Sequence, residues 1–201
     1  MTHIGIKKRP VLYSLFLFLI IFLNWGGLSI AEAAEPPKHG IAPERVADYL
    51  FAIIAAHRKT YTTKVVERMQ NQGVVLATEN WESKKALPLP AQFLMESAHL
   101  MAEEDKGVRF RLISLWPTYQ RNAPATEFER KGLEGVQANP DQAYTGMRTS
   151  GKKHFFQAVY ADTAVSKACV VCHNSHPRSP KRDFQLGDVM GGVVITIPLN
   201  P

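Results

Sequence analysis

The chain's only two cysteines stand three residues apart in Cys169-Val170-Val171-Cys172-His173, with a histidine directly after the second. Any fold must therefore hold two thiols and an imidazole at one place, facing one partner. Thiols at this spacing can each form a thioether with one vinyl group of a porphyrin, while the next residue turns its imidazole onto the iron. The motif predicts one covalent haem c, with Cys169 and Cys172 as thioether residues and His173 as the proximal iron ligand. A redox dithiol, a structural disulfide and half of a zinc site are the competing uses of C-x-x-C. Zinc needs four tetrahedral ligands; His176 is a further donor, but there is no second cysteine pair. A thioredoxin-like dithiol normally follows a buried strand and opens a helix, whereas Asn174, Ser175, His176 and Pro177 read as a loop.

The compartment is written at the other end of the chain. Lys7, Lys8 and Arg9 precede an apolar run over residues 11–23, and Ala31-Glu32-Ala33 supplies the small-x-small pattern of a signal-peptide cleavage site. The expected organisation is a signal peptide over 1–33 and a single domain over 34–201, exported to the periplasm. The competing reading is an uncleaved anchor in the inner membrane, since a lenient apolar count approaches the roughly 20 residues of a spanning helix. Asn24, Gly26, Gly27 and Ser29 interrupt that run. Haem c is attached outside the cytoplasm, so both readings agree with the motif. The formal net charge is +6, without a basic run interleaved with aromatics, so nucleic acid is not an expected partner.

Over residues 42–72, Val46, Leu50, Ile53, Ile54, His57, Tyr61, Val65 and Met69 recur at helical spacing and predict one long helix. His57 lies in that stripe and is the candidate for a sixth iron ligand, with His99, His154, Met101, Met147 and Met190 as other donors. His176 is too close to His173 to serve the opposite face and is expected to bond a propionate or cap its loop. A short extended stretch over 74–77 and a rigid Leu87-Pro88-Leu89-Pro90 spacer lead into a helix over 91–103. A strand is expected over 108–115, then a helix capped by Thr126 with Glu129, strands over 143–149 and 153–162, and a last strand over 192–199. This order is unlike a small all-helical cytochrome and predicts an α+β, antiparallel domain.

Several segments together resemble a family: Ala56-His57-Arg58 with Tyr61, Leu87-Pro88-Leu89-Pro90-Ala91-Gln92, residues 111–117, Asn122-Ala123-Pro124 with Glu127 and Glu129, residues 169–174, and Leu186-Gly187-Asp188. In this order they are similar to the extracytoplasmic single-haem c-type domains with a PAS-like fold, formerly a domain of unknown function and often fused to HAMP and kinase modules. The resemblance implies a haem between a curved antiparallel sheet and the long N-terminal helix, with His173 as fifth ligand. Some members are thought to use a cysteine of that helix as sixth ligand, and this chain has no third cysteine. Either His57 takes the place or the iron is open to a small ligand.

Two functions follow. One is a periplasmic electron carrier, with Arg178, Lys181 and Arg182 docking an acidic redox partner or holding the propionates. The other is a redox or small-ligand sensor signalling through a separate, membrane-bound partner. An enzyme is not expected, because no distal acid–base constellation is identifiable.

Overall fold

The computed structural model describes residues 40–199. The leader or anchor read over 1–33 lies outside the described residues. Among the described residues, no helix is long and apolar enough to cross a membrane.

The long N-terminal helix forms, but in three conformational pieces. Helix α1 spans Pro43–Thr60, with Pro43 preset for the first turn. A π-helical stretch, Tyr61–Val66, follows, and α2, Glu67–Asn71, completes it. Such π segments in a helix are frequent at functional sites. Helix α3, Pro90–Glu103, begins after the proline spacer; Gln92 Oε1 accepts the orphan Leu89 N–H at 3.0 Å, while its Nε2 donates to Glu79 O at 2.7 Å. Residues 74–77 form no strand of their own; Ala77 makes a single bridge to Leu87.

Strands β1 (Arg109–Ile113), β2 (Tyr144–Ser150), β3 (Lys153–Thr163) and β4 (Val189–Pro198) form one antiparallel sheet in the order β1-β4-β3-β2. The domain is thus α+β, as its pattern of elements predicts. The alternation read in β3 gives way to continuous burial in both β3 and β4, because these strands are central and covered on two faces. On one face, α1 and α3 pack Ala47 and Leu94 against Phe156, Ala158, Val193 and Ile195. On the other, helix α4, Glu127–Ala138, sets Leu133 and Val136 on Ile113, Val159 and Val194. Thr126 Oγ1 accepts from Glu129 N–H at 3.2 Å, as the capping signal predicts, but Glu129 reaches back to Ala125 N–H at 2.6 Å rather than to the cap residue. Gly191 is required by close approach: a Cβ there would lie 2.3 Å from Ile113 O.

Between β3 and β4 the chain leaves the sheet and forms helix α5, Lys167–Ser175. Asn174 and Ser175 are helical rather than a loop, which corrects the reading of the residues after the motif. Their turn-forming tendency is overridden by a Ser166 cap and by tertiary bonds to Asn174.

Candidate functional site

Helix α5 decides how the motif is presented. Residues at i, i+3 and i+4 share one side of a helix, so Cys169, Cys172 and His173 project together. The helix is fixed at both ends. Ser166 Oγ accepts from Ala168 N–H at 3.0 Å and donates to Glu67 at 2.5 Å, tying the N-terminus of α5 to α2. At the other end Asn174 exchanges two hydrogen bonds with the Phe184 backbone, at 2.9 and 3.0 Å. Phe184 stands edge-on to both His173 and Trp116.

Leu186-Gly187-Asp188 acts on the other end of this segment. Ala164 N–H donates to Asp188 O at 2.9 Å and Gly187 N–H to Ala164 O at 3.0 Å, while Gly187 adopts φ +91°, a conformation that favours glycine. Asp188 Oδ2 also takes the Gln185 N–H at 2.8 Å.

A cavity of about 500 Å³ opens beside the motif, lined by Cys172, His173 and His176, by Leu89, Gln92 and Met95 around α3, and by Glu79, Trp81 and Tyr119. Burial, the Arg58 cation and then His176 hold His173 below the ordinary imidazole range, which keeps the neutral, metal-ligating form. Burial pushes both thiols up; for Cys169 the Arg58 charge opposes this, and for Cys172 the Glu79 charge adds to it. Cys172 is open to the cavity by surface area, yet enough protein surrounds it to disfavour its anion. Neither thiol has the depressed pKa of a reactive dithiol. The two are unlinked.

Arg58 is the residue that α1 turns toward the motif. It is buried and pairs with Asp162 at 2.9 Å, but its Nε and Nη1 have no hydrogen-bond partner among the described residues. Burial raises the Asp162 carboxyl pKa and Arg58 opposes the rise. An orphaned buried guanidinium costs free energy unless an acceptor is supplied, and among the described residues Arg58 has one carboxylate.

His57, the neighbour of Arg58, is exposed and lines neither described cavity. The physical reason is that α1 is apolar on more than one side: Tyr49 and Ile53 are over half exposed, and the buried line runs instead through Ala47, Arg58, Thr62 and Val66. Of the other donors read from sequence, His99 is exposed beside Glu103, His154 is exposed beside Thr149, and Met147 is exposed. Met101 is half-buried on α3 and lines neither described cavity. Met190 is buried with Ala164 and Phe184, where Cys169 packs against them. Met95, which was not among those donors, lines the same cavity as His173. The signal available in the sequence was its place three residues after Gln92, on the same face of α3.

His176 caps its loop. Its Nδ1 accepts the Arg178 N–H at 3.2 Å, so Nε2 carries the proton toward Glu79 at 2.9 Å. Tyr119 sits over this pair, its hydroxyl pKa raised chiefly by the hydrogen bond with Glu79. The cations after the motif are also engaged: Arg178 lies over Tyr119, Lys181 over Trp116 and against Asp183, and Arg182 donates to Pro177 O. Among the described residues, no three His, Cys, Asp or Glu side chains converge on a common metal position.

The fold and site define an α+β domain that carries a dithiol–imidazole motif on a short latched helix, beside a cavity walled by its third helix. The family model of the Tll0287-like domain matches residues 42–198, and the chain belongs to that family. Among solved structures it is similar to the crystal structure of the cyanobacterial heme-protein Tll0287, at 19% identity, covering 79% of this chain and 98% of that one, with a TM-score of 0.49. No curated protein matches the chain.

Proposed function

We propose that the chain binds haem, attaches it covalently through Cys169 and Cys172, and works outside the cytoplasm as a single-haem electron carrier or redox partner. The observation that carries the reading is the placing of both thiols and His173 on one side of α5, with Cys172 and a neutral His173 opening on one cavity. The family supports it, as does the description of its similar structure as a heme-protein. The residues fit such a group: α5 would offer both thiols and the His173 imidazole from one side, Leu89, Met95 and Trp81 give an apolar wall to the cavity, and Arg58, buried behind the motif, has Nε and Nη1 without an acceptor.

When bound, haem supplies an iron that changes between ferric and ferrous states. The chain's own residues do the rest. Phe184 braces the His173 ring, Asn174 fixes the helix that carries it, and Glu79 with Tyr119 keeps His176 turned away from the ligand role. As a second iron donor beside His173, Met95 would be at hand because it lines the same cavity, whereas His57 would have to turn inward from its exposed place. A Met ligand raises the potential relative to a second His. A sensor reading, through a membrane-bound partner, would correspond to the chain supplying no second donor.

The test is co-expression with a c-type haem maturation system, haem staining after denaturing electrophoresis, and ferric, ferrous and ferrous-plus-carbon-monoxide spectra. Stain retained by the parent and lost in Cys169→Ala/Cys172→Ala supports covalent attachment. A low-spin spectrum insensitive to carbon monoxide supports the carrier; a high-spin or carbon-monoxide-binding spectrum transfers the reading to the sensor. Met95→Ala and His57→Ala then separate the axial candidates, since only loss of the true ligand converts low-spin iron to high-spin.

A further inference from the structure

Helix α4 covers only part of its face of the sheet. Residues paired across strands share a face, and the row Arg111, Val194, Val159 and Tyr144 runs beneath or beside α4. The next row, Arg109, Thr196 and Gln157, and the row after it, Phe155 and Arg148, lie along a cavity of about 710 Å³. Its walls are the Ala98 and Ala102 side of α3 and the segment through Arg121 and Ala125.

Four arginines border this cavity and, among the described lining residues, Glu129 is the one acid. Two of the four are committed. Arg111 donates to Ala123 O at 2.9 Å and pairs with Glu129 at 3.5 Å, and Arg121 lies over the Tyr119 ring. Arg109 and Arg148, on opposite edge strands, make no ion pair with any described residue. Between them the floor is apolar at Phe155 and Val194, with one partly buried polar pair, Gln157 Nε2 to Thr196 Oγ1 at 3.0 Å.

We infer that this cavity binds a small amphipathic carboxylate, its apolar body on the Phe155–Val194 floor and its charge on Arg109 or Arg148. Surplus cations select an anion, and a planar guanidinium matches a carboxylate in two parallel hydrogen bonds. The apolar floor selects a hydrophobic body over a bare inorganic anion, and a polyphosphate chain gains nothing from it. A second copy of the chain is disfavoured because the same arginines would face each other. The site is separate from the motif, but the two cavities share Met95, Arg121 and Asn122 as wall residues, so an occupant of one touches the lining of the other. Nothing in this assignment requires haem.

The experiment is isothermal titration of the intact protein with octanoate, with 1-octanol and acetate as probes of body and charge alone. Saturable binding of one octanoate is expected, with octanol and acetate weaker by about tenfold or more, the equivalent of losing one contact worth about 1.4 kcal/mol. Arg109→Gln/Arg148→Gln, both exposed in the parent, weakens octanoate by a similar factor while the thermal midpoint stays put. Lys131→Gln, on α4 and paired with Glu127 rather than facing the cavity, leaves binding unchanged. A second readout needs no variant: added salt weakens octanoate and spares octanol, because only the former depends on charge. Failure to saturate at millimolar octanoate, equal binding of octanol, or an affinity unmoved in the double variant each overturns the assignment, whatever the haem spectra show.

Discussion

Val136, Val159 and Ile195 in the sheet's two cores are wholly buried, whereas α5, the helix that carries the thiols, has no buried residue at all. The sheet is held by apolar area removed from water, which is non-directional and large in sum. Helix α5 is held chiefly by placed polar bonds, Glu67 to Ser166 and Asn174 to Phe184, with Cys169 and Val170 resting on the small Ala164, Phe184 and Met190 cluster. The difference teaches that the domain does not need its motif helix in order to have a core, while the motif helix needs each of its few attachments to stay in place. Stability and site geometry are therefore open to separate attack.

The most damaging single change is expected at the seam between the two regions. Asp162→Ala leaves the Arg58 charge buried and unpaired, at a cost of about 3–5 kcal/mol; Arg58→Met with Asp162→Leu removes both charges and restores most of the thermal midpoint. A double variant no more stable than Asp162→Ala would mean the pair is not the cause. Next, Leu133→Ala opens the core beneath α4 and lowers stability by about 2–5 kcal/mol in denaturant unfolding, with α5 amide protection falling only as the whole domain's does.

Asn174→Ala sharpens the contrast from the other side. It removes two hydrogen bonds worth about 0.5–1.5 kcal/mol each, and hydrogen exchange should speed in α5 while β3 and β4 keep their protection. Uniform loss across the sheet would show that the helix and core are one cooperative unit. The smallest effect is chemical. In haem-free protein, burial holds both thiols above the ordinary value of about 8.5, so the thiolate fraction at neutral pH is lower than in a free peptide. Iodoacetamide should label Cys169 and Cys172 slowly at pH 7 and faster as pH rises; labelling quicker than a model thiol at pH 7 would point to an activated dithiol instead.

The sheet was legible because alternation and turn residues report strands locally: β2, β3 and β4 fall within a few residues of where the pattern puts them. The motif was legible because its spacing is chemical. What escaped is tertiary. Nothing in the stripe through Ile53 and His57 reveals that α1 buries its adjacent face and brings an arginine inward, since both faces carry apolar residues. Thr62 and Val66, in the π-helical stretch, continue that adjacent line and are buried where the pattern favours Tyr61 and Val65. Asn174 reads as a turn residue by type, and what holds it helical is its bond to Phe184, a partner that only the fold supplies.

The pairing order of the sheet carries one more consequence. Strands β3 and β4 are antiparallel neighbours, so residues 164–188, thiols included, are in topological terms the connection of a hairpin. The bonds between Ala164 and the Gly187–Asp188 corner close that connection at its neck, before any of its contents are reached. A chain built this way can lengthen, shorten or exchange the whole pouch by local insertion, with every strand keeping its neighbour. Loss or gain of the thiol motif among such domains is then a matter of editing one connection, and strand pairing is blind to the outcome.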